Sequence, residues 1–349
     1  MGLNGFLQLR KYLEEPMALI TLRPEGLYCE AGDFFIDPWR PVEQALITHA
    51  HADHARSGSQ QYLATQISEG ILRKRLGPAI SLRGVEYGER VRLGDTWVSF
   101  HSAGHVLGSA QIRVEHKGEV WVVSGDYKRC ADPSCAPFEV VPCDVFVTEA
   151  TFGLPVYHWQ SGEAIAHQIY QWWQGDKERA SLLFCYAFGK AQRILSELTR
   201  FTERPVYVHG AIQGLTESYR QAGVAMVPTI PTAAPVDNLT YASYAGELVL
   251  APPAAHRSSW MKRFRHPQTA FASGWMAVRG ARRRRGYERG FVLSDHADWS
   301  GLIDTIHQTQ ARQVYVTHGQ SDALARYLQA FLQVAGQPLE TQFDGEDDH

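Results

Sequence analysis

Short apolar runs separated by polar and glycine positions fill the first part of the chain, a pattern that predicts strands more than helices. "ALITL", "GLYCE" and "DFFID", which ends at Asp37, open the series, and "QALIT" follows. "QISEGILRKRLG" reads as a short helix, and "TWVSFHSAGH" as a strand running into a glycine-containing loop. "AQIRVEH" and "EVWVVSGD" predict a hairpin turned at Lys117-Gly118, and "DVFVTEAT" a further buried strand. Near Thr151 the grammar changes. "SLLFCYAF" precedes the helical "GKAQRILSELTRF", and "RPVYVHG" precedes "AIQGLTESYRQAG", with Trp172 and Trp173 on an apparent helix just before them. Such alternation predicts a parallel, doubly wound sheet. "PTIPTAAPVDN" reads as a loop before the strands "GELVLAPP" and "TAFASG"; "RGFVLSDHADW" and "RQVYVTHG" are then strands, each followed by a helical pattern. No repeat or low-complexity segment interrupts the chain.

Five of the apolar runs end in an ionisable residue: "LITHAHADH", "VVSGD", "VFVTEA", "FVLSDH" and "VYVTHG". They deliver the cluster at His49, then Asp126, Glu149, His296 and His318. A single polar residue beyond a strand has a bland explanation. Five of acid–base or ligand type predict one sheet edge that gathers distant positions.

Composition narrows the class. The 349 residues are 44% hydrophobic, ample for a large core and more than one domain, and the net charge of -3 excludes a global basic field. Any nucleic-acid contact must then come from a local patch. The 5 cysteines form no Cys-x-x-Cys pair, which argues against a disulfide framework or a cysteine zinc site. With no apolar run of membrane-spanning length and no signal-peptide core, the expectation is a cytoplasmic protein without a membrane partner.

The candidate chemistry begins at His49-x-His51-x-Asp53-His54, directly after the strand-like "QALIT". Strand alternation would send His49 and His51 to one side, with Asp53 and His54 curling back as the loop turns. Imidazole and carboxylate donors suit zinc or manganese, and four such groups on one turn can serve two adjacent ions. Gly104 and Gly108, flanking His105, read as positions where the backbone wraps closely round a ligand.

Together with "SAGHVLGSA" and "SGDYKR", this cluster resembles the metallo-β-lactamase superfamily. "TEATFG", "SDHADW" and "VTHG" are similar to the three further motifs of its β-CASP nucleases, the group containing Artemis, ribonuclease J and the pre-mRNA cleavage endonuclease. "AFGKAQRIL" and "ASGWM" match that group's inserted domain, and "RGARRRRGYERGFVLSDHADWSGL" most resembles the bacterial DNA ligase-associated exonucleases. The resemblance implies an α/β protein: an αββα sandwich from residues 1–152 and 292–349, with a β-CASP α/β domain inserted at 153–291. It implies two divalent metal ions, Zn2+ and/or Mn2+. His49, His51 and His105 would hold the first, Asp53, His54 and His318 the second, and Asp126 would bridge both. Asp37 would orient a ligand histidine, as outer carboxylates do.

The implied function is a two-metal phosphodiesterase, most simply a DNA exonuclease of repair, with a DNA ligase and a helicase as pathway partners. Two ions roughly 3.5–4 Å apart can activate a hydroxide and hold a phosphodiester oxygen. His296, paired with Glu149, would protonate the leaving oxygen, and Asp126 and Asp53 complete the catalytic set. Arg279, Arg282, Arg283, Arg284 and Arg285 form the dense basic run and are read as phosphate contacts, as is Lys190 at the start of a helix. His318 keeps a ribonuclease of the β-CASP RNA-processing type as the alternative, since Artemis-like members lack a histidine there. A glyoxalase-type hydrolase would leave the β-CASP features and arginine run without a role. An inactive nucleic-acid-binding scaffold would be expected to have lost ligands, and all seven are present.

Overall fold

A computed structural model describes residues 18–232, 244–278 and 286–343. Two sheets come from both ends of the chain. The first runs in sequence order through β1 (Thr21–Arg23), β2 (Gly26–Cys29), β3 (Phe34–Ile36), β4 (Gln44–Leu46), β5 (Gln61–Thr65) and β6 (Leu82–Val85). Pairing is antiparallel from β1 to β3 and parallel from β3 to β6. The second sheet contains β7 (Val91–Leu93), β8 (Thr96–Ser102), β9 (Ala110–His116), β10 (Glu119–Val123) and β11 (Val145–Ala150), then β18 (Gln313–Gly319) and β19 (Ala335–Pro338), in the order β19-β18-β11-β10-β9-β8-β7. Late strands therefore pair beside β11, which brings His318 next to Glu149's strand.

The sandwich follows from side-chain alternation. Leu46 of β4, Leu63 of β5, Trp121 and Val123 of β10, and Val145 and Val147 of β11 share one core between the sheets. Their neighbours point the other way: Ala45, Tyr62 and Ala64 pack with Ile71 and Leu72 of helix α1 (Glu69–Leu76). Val122, Phe146, Val314 and Val316 pack under a helix at Trp299–Thr309 and another at Ser321–Tyr327. A one-residue register slip would exchange these two faces on any strand, so the apolar pattern on both sides fixes the register. The β9–β10 hairpin turns at Lys117 (φ 50°) and Gly118 (φ 87°), both in the left-handed region that a two-residue turn of this hand requires.

The third sheet is entirely parallel: β12 (Ser181–Phe184), β13 (Val206–Val208), β14 (Thr229–Pro231), β15 (Leu248–Ala251), β16 (Gln268–Ala272) and β17 (Arg289–Phe291), in the order β14-β13-β15-β12-β16-β17. One face packs on α2 (Gly162–Gln174) and α3 (Lys190–Glu197), and α4 (Gly210–Gln221) follows β13. α2 begins where Ser161 Oγ accepts from Ala164 N, and it buries Ile165, Ile169, Trp172 and Trp173 on one stripe. Those tryptophans are core.

Two expectations are corrected. Thr229–Pro231, read as loop, is an edge strand on β13; its terminal proline is tolerated there because an edge does not need every N–H. The strand expected through "FVLSDH" pairs only at Arg289–Phe291. Beyond it, side chains take the backbone acceptors: Arg193 Nη1 donates to the Ser294 carbonyl at 2.6 Å, and His105 Nδ1 to the Asp295 carbonyl at 2.7 Å. No described helix is long and apolar enough to cross a membrane.

Candidate metal centre

β4 carries Thr48 and His49 out of the sandwich, and the loop after it curls tightly, with Ala55 N bonded to the His51 carbonyl at 2.8 Å. His105 comes from the loop after β8, Asp126 from just beyond β10, Glu149 from β11 and His318 from β18. A Cβ on Gly104 would lie 2.6 Å from the Lys128 carbonyl, and one on Gly108 would lie 2.7 Å from Ser68 N. Both glycines have positive φ, so the loop bearing His105 can fold this closely only without side chains there.

His49 Nε2, His51 Nδ1 and His105 Nε2 converge on Asp126 Oδ2: His49 and His105 lie 3.1 and 3.0 Å from His51, and 3.3 and 3.7 Å from the carboxylate. The other oxygen, Asp126 Oδ1, faces His318 Nε2 at 3.2 Å and His54 Nε2 at 3.5 Å, with Asp53 Oδ2 also 3.5 Å from His54. One carboxylate thus faces two groups of donors, one with each oxygen.

The outward nitrogens decide what the inward ones carry. His51 Nε2 meets the Phe188 carbonyl at 3.3 Å and His105 Nδ1 the Asp295 carbonyl; carbonyls only accept, so both outward atoms bear the proton. His54 Nδ1 donates to Asp37 Oδ2 at 2.8 Å. Thr48 Oγ1 donates to the same carboxylate, which leaves it to accept from His49 Nδ1 at 3.1 Å. Thr317 Oγ1 donates to the Thr148 carbonyl and accepts from His318 Nδ1 at 3.2 Å. All five inward nitrogens therefore present lone pairs to one another and to Asp126. Lone pairs this close repel unless a cation lies between them, and His54 Nε2 and Asp126 Oδ1 are buried with no hydrogen-bond partner. The residues fit two divalent ions, with a donor set of imidazole and carboxylate.

Electrostatics agree. Burial, aided by the neighbouring His54, pushes His49 down to about 3, and burial likewise lowers His51 and His105, so all three stay neutral donors at neutral pH. Burial opposes charge on His54 too, yet Asp126 and Asp53 outweigh it and raise its pKa well above the usual value. The field there calls for positive charge.

Beside the two groups, Glu149 Oε2 accepts from His296 Nδ1 at 2.8 Å, while its Oε1 accepts from Tyr127 N at 2.8 Å. Asp37, placed at the strand end by the sequence, holds His54 directly and His49 through Thr48. Lys190 is a correction: it is 0% exposed, its Nζ 3.6 Å from Asp295 Oδ2, so its charge is engaged inside the protein and its side chain is not a surface phosphate contact. Arg279, Arg282, Arg283, Arg284 and Arg285 lie outside the described residues. His209 caps α4 by accepting from Ala211 N.

Sequence reasoning missed the supports. Thr48 and Thr317 each precede a histidine at a strand end, and the repeated Thr-His dipeptide was the available signal. Phe343, whose ring stacks on His54 with centroids 4.4 Å apart, gave no signal at all. Nor did the Phe188 and Asp295 carbonyls, because a backbone group has no sequence signature.

No protein-family model matches the sequence. A protein of Opitutus terrae named a probable DNA ligase is 28% identical over 87% of this chain, but the match covers 29% of that protein. A ribonuclease of Thermus thermophilus is 30% identical over 34% of this chain and 34% of its own length. The chain thus spans about a third or less of the length of these curated relatives. A solved structure from Enterococcus faecalis, titled a protein of unknown function, superposes with a TM-score of 0.58 over 86% of this chain and 80% of that one at 11% identity, a likeness of fold alone. Laid on the sandwich and on the shared carboxylate at its edge, these matches make the chain similar to the metallo-β-lactamase nucleases of the β-CASP branch.

Proposed function

We propose that this chain is a metal-dependent nuclease that hydrolyses phosphodiester bonds, with DNA ends as its substrate. The observation that carries the reading is Asp126 facing two groups of histidine lone pairs, with the Glu149–His296 pair alongside. His49, His51 and His105 would hold one ion and Asp53, His54 and His318 the other, with Asp126 shared. Bound divalent ions supply Lewis acidity toward a phosphodiester and make water nucleophilic at neutral pH.

The chain's own residues do the rest. Asp37, Thr48 and Thr317 keep His54, His49 and His318 in the tautomer that offers a lone pair inward. Tyr127 N–H fixes Glu149, and Glu149 accepts from His296 Nδ1, which stabilises a protonated imidazole. Protonated His296 then gives the Nε2 proton to the departing oxygen, returning to neutral as the bond breaks. We place the sandwich at residues 1–152 and 292–349 and the inserted domain at 153–291, since the third sheet draws its strands from Ser181 to Phe291.

DNA is favoured by the relative named a probable DNA ligase, whose match runs through most of this chain. RNA is the second reading, favoured by the Thermus ribonuclease. End-labelled single- and double-stranded DNA and RNA of one sequence, digested with zinc, manganese or magnesium, separates them. The reading predicts shortening of DNA from an end; RNA cut in preference supports the second reading, and cleavage of neither overturns both. Neutralising Arg282, Arg283, Arg284 and Arg285 is expected to weaken DNA binding and flatten its dependence on salt while metal content is unchanged. An unaltered salt slope in a filter-binding titration removes the run from the interface.

A further inference from the structure

Beneath His105 lies a cluster of buried charge that the chemistry above does not use. Lys128, Lys190 and Arg193 are at most 2% exposed, and they meet two carboxylates, Asp132 and Asp295, whose side chains are 3% exposed. Lys128 pairs with Asp132 and lies 4.0 Å from Asp295; Lys190 lies 3.6 Å from Asp295; Arg193 reaches Asp132 and Asp295, each at 3.5 Å. Lys190 and Arg193 stand on α3, which packs on the third sheet, whereas Lys128 and Asp132 follow β10 of the sandwich. Sequestering this much charge is costly and does not by itself favour stability, so a role in fixing geometry is the physical reason to look for.

The geometry supplies that role. Arg193 Nη1 donates to the Ser294 carbonyl at 2.6 Å and so clamps the peptide leading into Asp295. The next carbonyl, that of Asp295, accepts from His105 Nδ1 at 2.7 Å. Lys128 Nζ holds the carbonyl of His105 itself at 3.3 Å. A second route starts from the same segment: Phe188, two residues before α3, offers its carbonyl to His51 Nε2. Two of the three histidines facing Asp126 Oδ2 are therefore set in tautomer and direction by groups that α3 or the turn before it holds in place. His54 and His318 take their outward partners from Asp37 and Thr317, both in the sandwich.

We propose that Arg193 is a positioning residue for one metal ion only, that of His49, His51 and His105, and that it couples this ion's affinity to the seating of the inserted segment. The inference rests on the metal reading of the site. The guanidinium is suited to it because its fork meets the Ser294 carbonyl and two carboxylates at once, which a lysine ammonium at the same place does not.

The test is Arg193→Lys, which keeps the buried positive charge and hence the fold, with Arg193→Met as the more severe variant. In metal-free protein, the imidazole nitrogen shifts of His105 are read by NMR; wild type is expected to show the proton on Nδ1 alone and R193K a mixture of tautomers. Chelator competition with zinc then measures both ions. R193K is expected to weaken one ion by about 10–100-fold, the usual effect of losing a ligand's outer partner, and the ion weakened is the one lost in His105→Ala. The other ion stays within about twofold. A single His105 tautomer with both affinities unchanged overturns the proposal, and so does equal weakening of both ions. If R193M does not fold, R193K decides alone. A wild-type protein that takes up no divalent ion overturns the metal reading instead, while the tautomer measurement still tests Arg193.

Discussion

Replacing His296 with alanine is expected to leave both ions bound while cleavage of ordinary DNA falls by about 10²–10⁴-fold, the range general-acid help supplies. The reason is placement. His296 is bound to Glu149 through Nδ1 and groups with Glu149 and Asp126, apart from the two sets of histidines on the Asp126 oxygens. An imidazole there is of little use as a base, because water beside two dications already loses its proton readily. Its productive act is to give a proton to an alkoxide that is otherwise a poor leaving group. A nitrophenyl phosphodiester, whose leaving group needs no proton, is therefore expected to be hydrolysed nearly as well by H296A as by wild type. Equal loss on both substrates would show that the ring positions the site and does not transfer a proton.

Asp126→Ala is expected to be more damaging and to act differently. Both its oxygens face histidine lone pairs, Oδ2 toward His49 and Oδ1 toward His318, so one deletion strips each group of its carboxylate. The histidines remain, with Asp53 the surviving carboxylate on their inward side, 3.5 Å from His54 Nε2. Affinity for both ions should fall by more than the about 10–100-fold typical of an outer partner, with activity lost on natural and activated substrates alike. Metal analysis of the purified variant beside a nitrophenyl assay checks this. Near-normal occupancy of either ion in D126A would show that the two groups do not share this carboxylate. The contrast between the variants is diagnostic: H296A separates chemistry from metal binding, and D126A removes both.

What was legible in the sequence was local. The continuous apolar run in "VFVTEA" announces a buried strand, and it is buried on both faces, with Val145 and Val147 in the inner core and Phe146 in the outer. The spacing of His49, His51, Asp53 and His54 needs only a strand end and a tight turn, so the cluster could be recognised as ligand-like before any fold was known. Short strands without strong alternation were not legible: "LRGV" at β6 and "AGQP" at β19 have few apolar residues and form because neighbouring strands offer a ladder. Lys190 misled for a related reason. A lysine opening a helix after a strand has the local look of an anion contact, and only the arrival of Asp295, far along the chain, makes it an interior charge.

The sequence by itself determined which residue types follow which apolar runs, since periods of two and of 3.6 residues are properties of the local backbone. Tertiary structure alone decided which nitrogen of each histidine is offered inward. That choice is made by partners such as the Asp295 carbonyl, 190 residues from His105, and the Phe188 carbonyl, 137 residues from His51. It also decided that Asp126 stands between the two groups of histidines and that Glu149 meets His296 across 147 residues. Hydrogen bonds act over about 3 Å, and distances of that order between remote positions are set by how whole sheets pack, which no window of sequence contains.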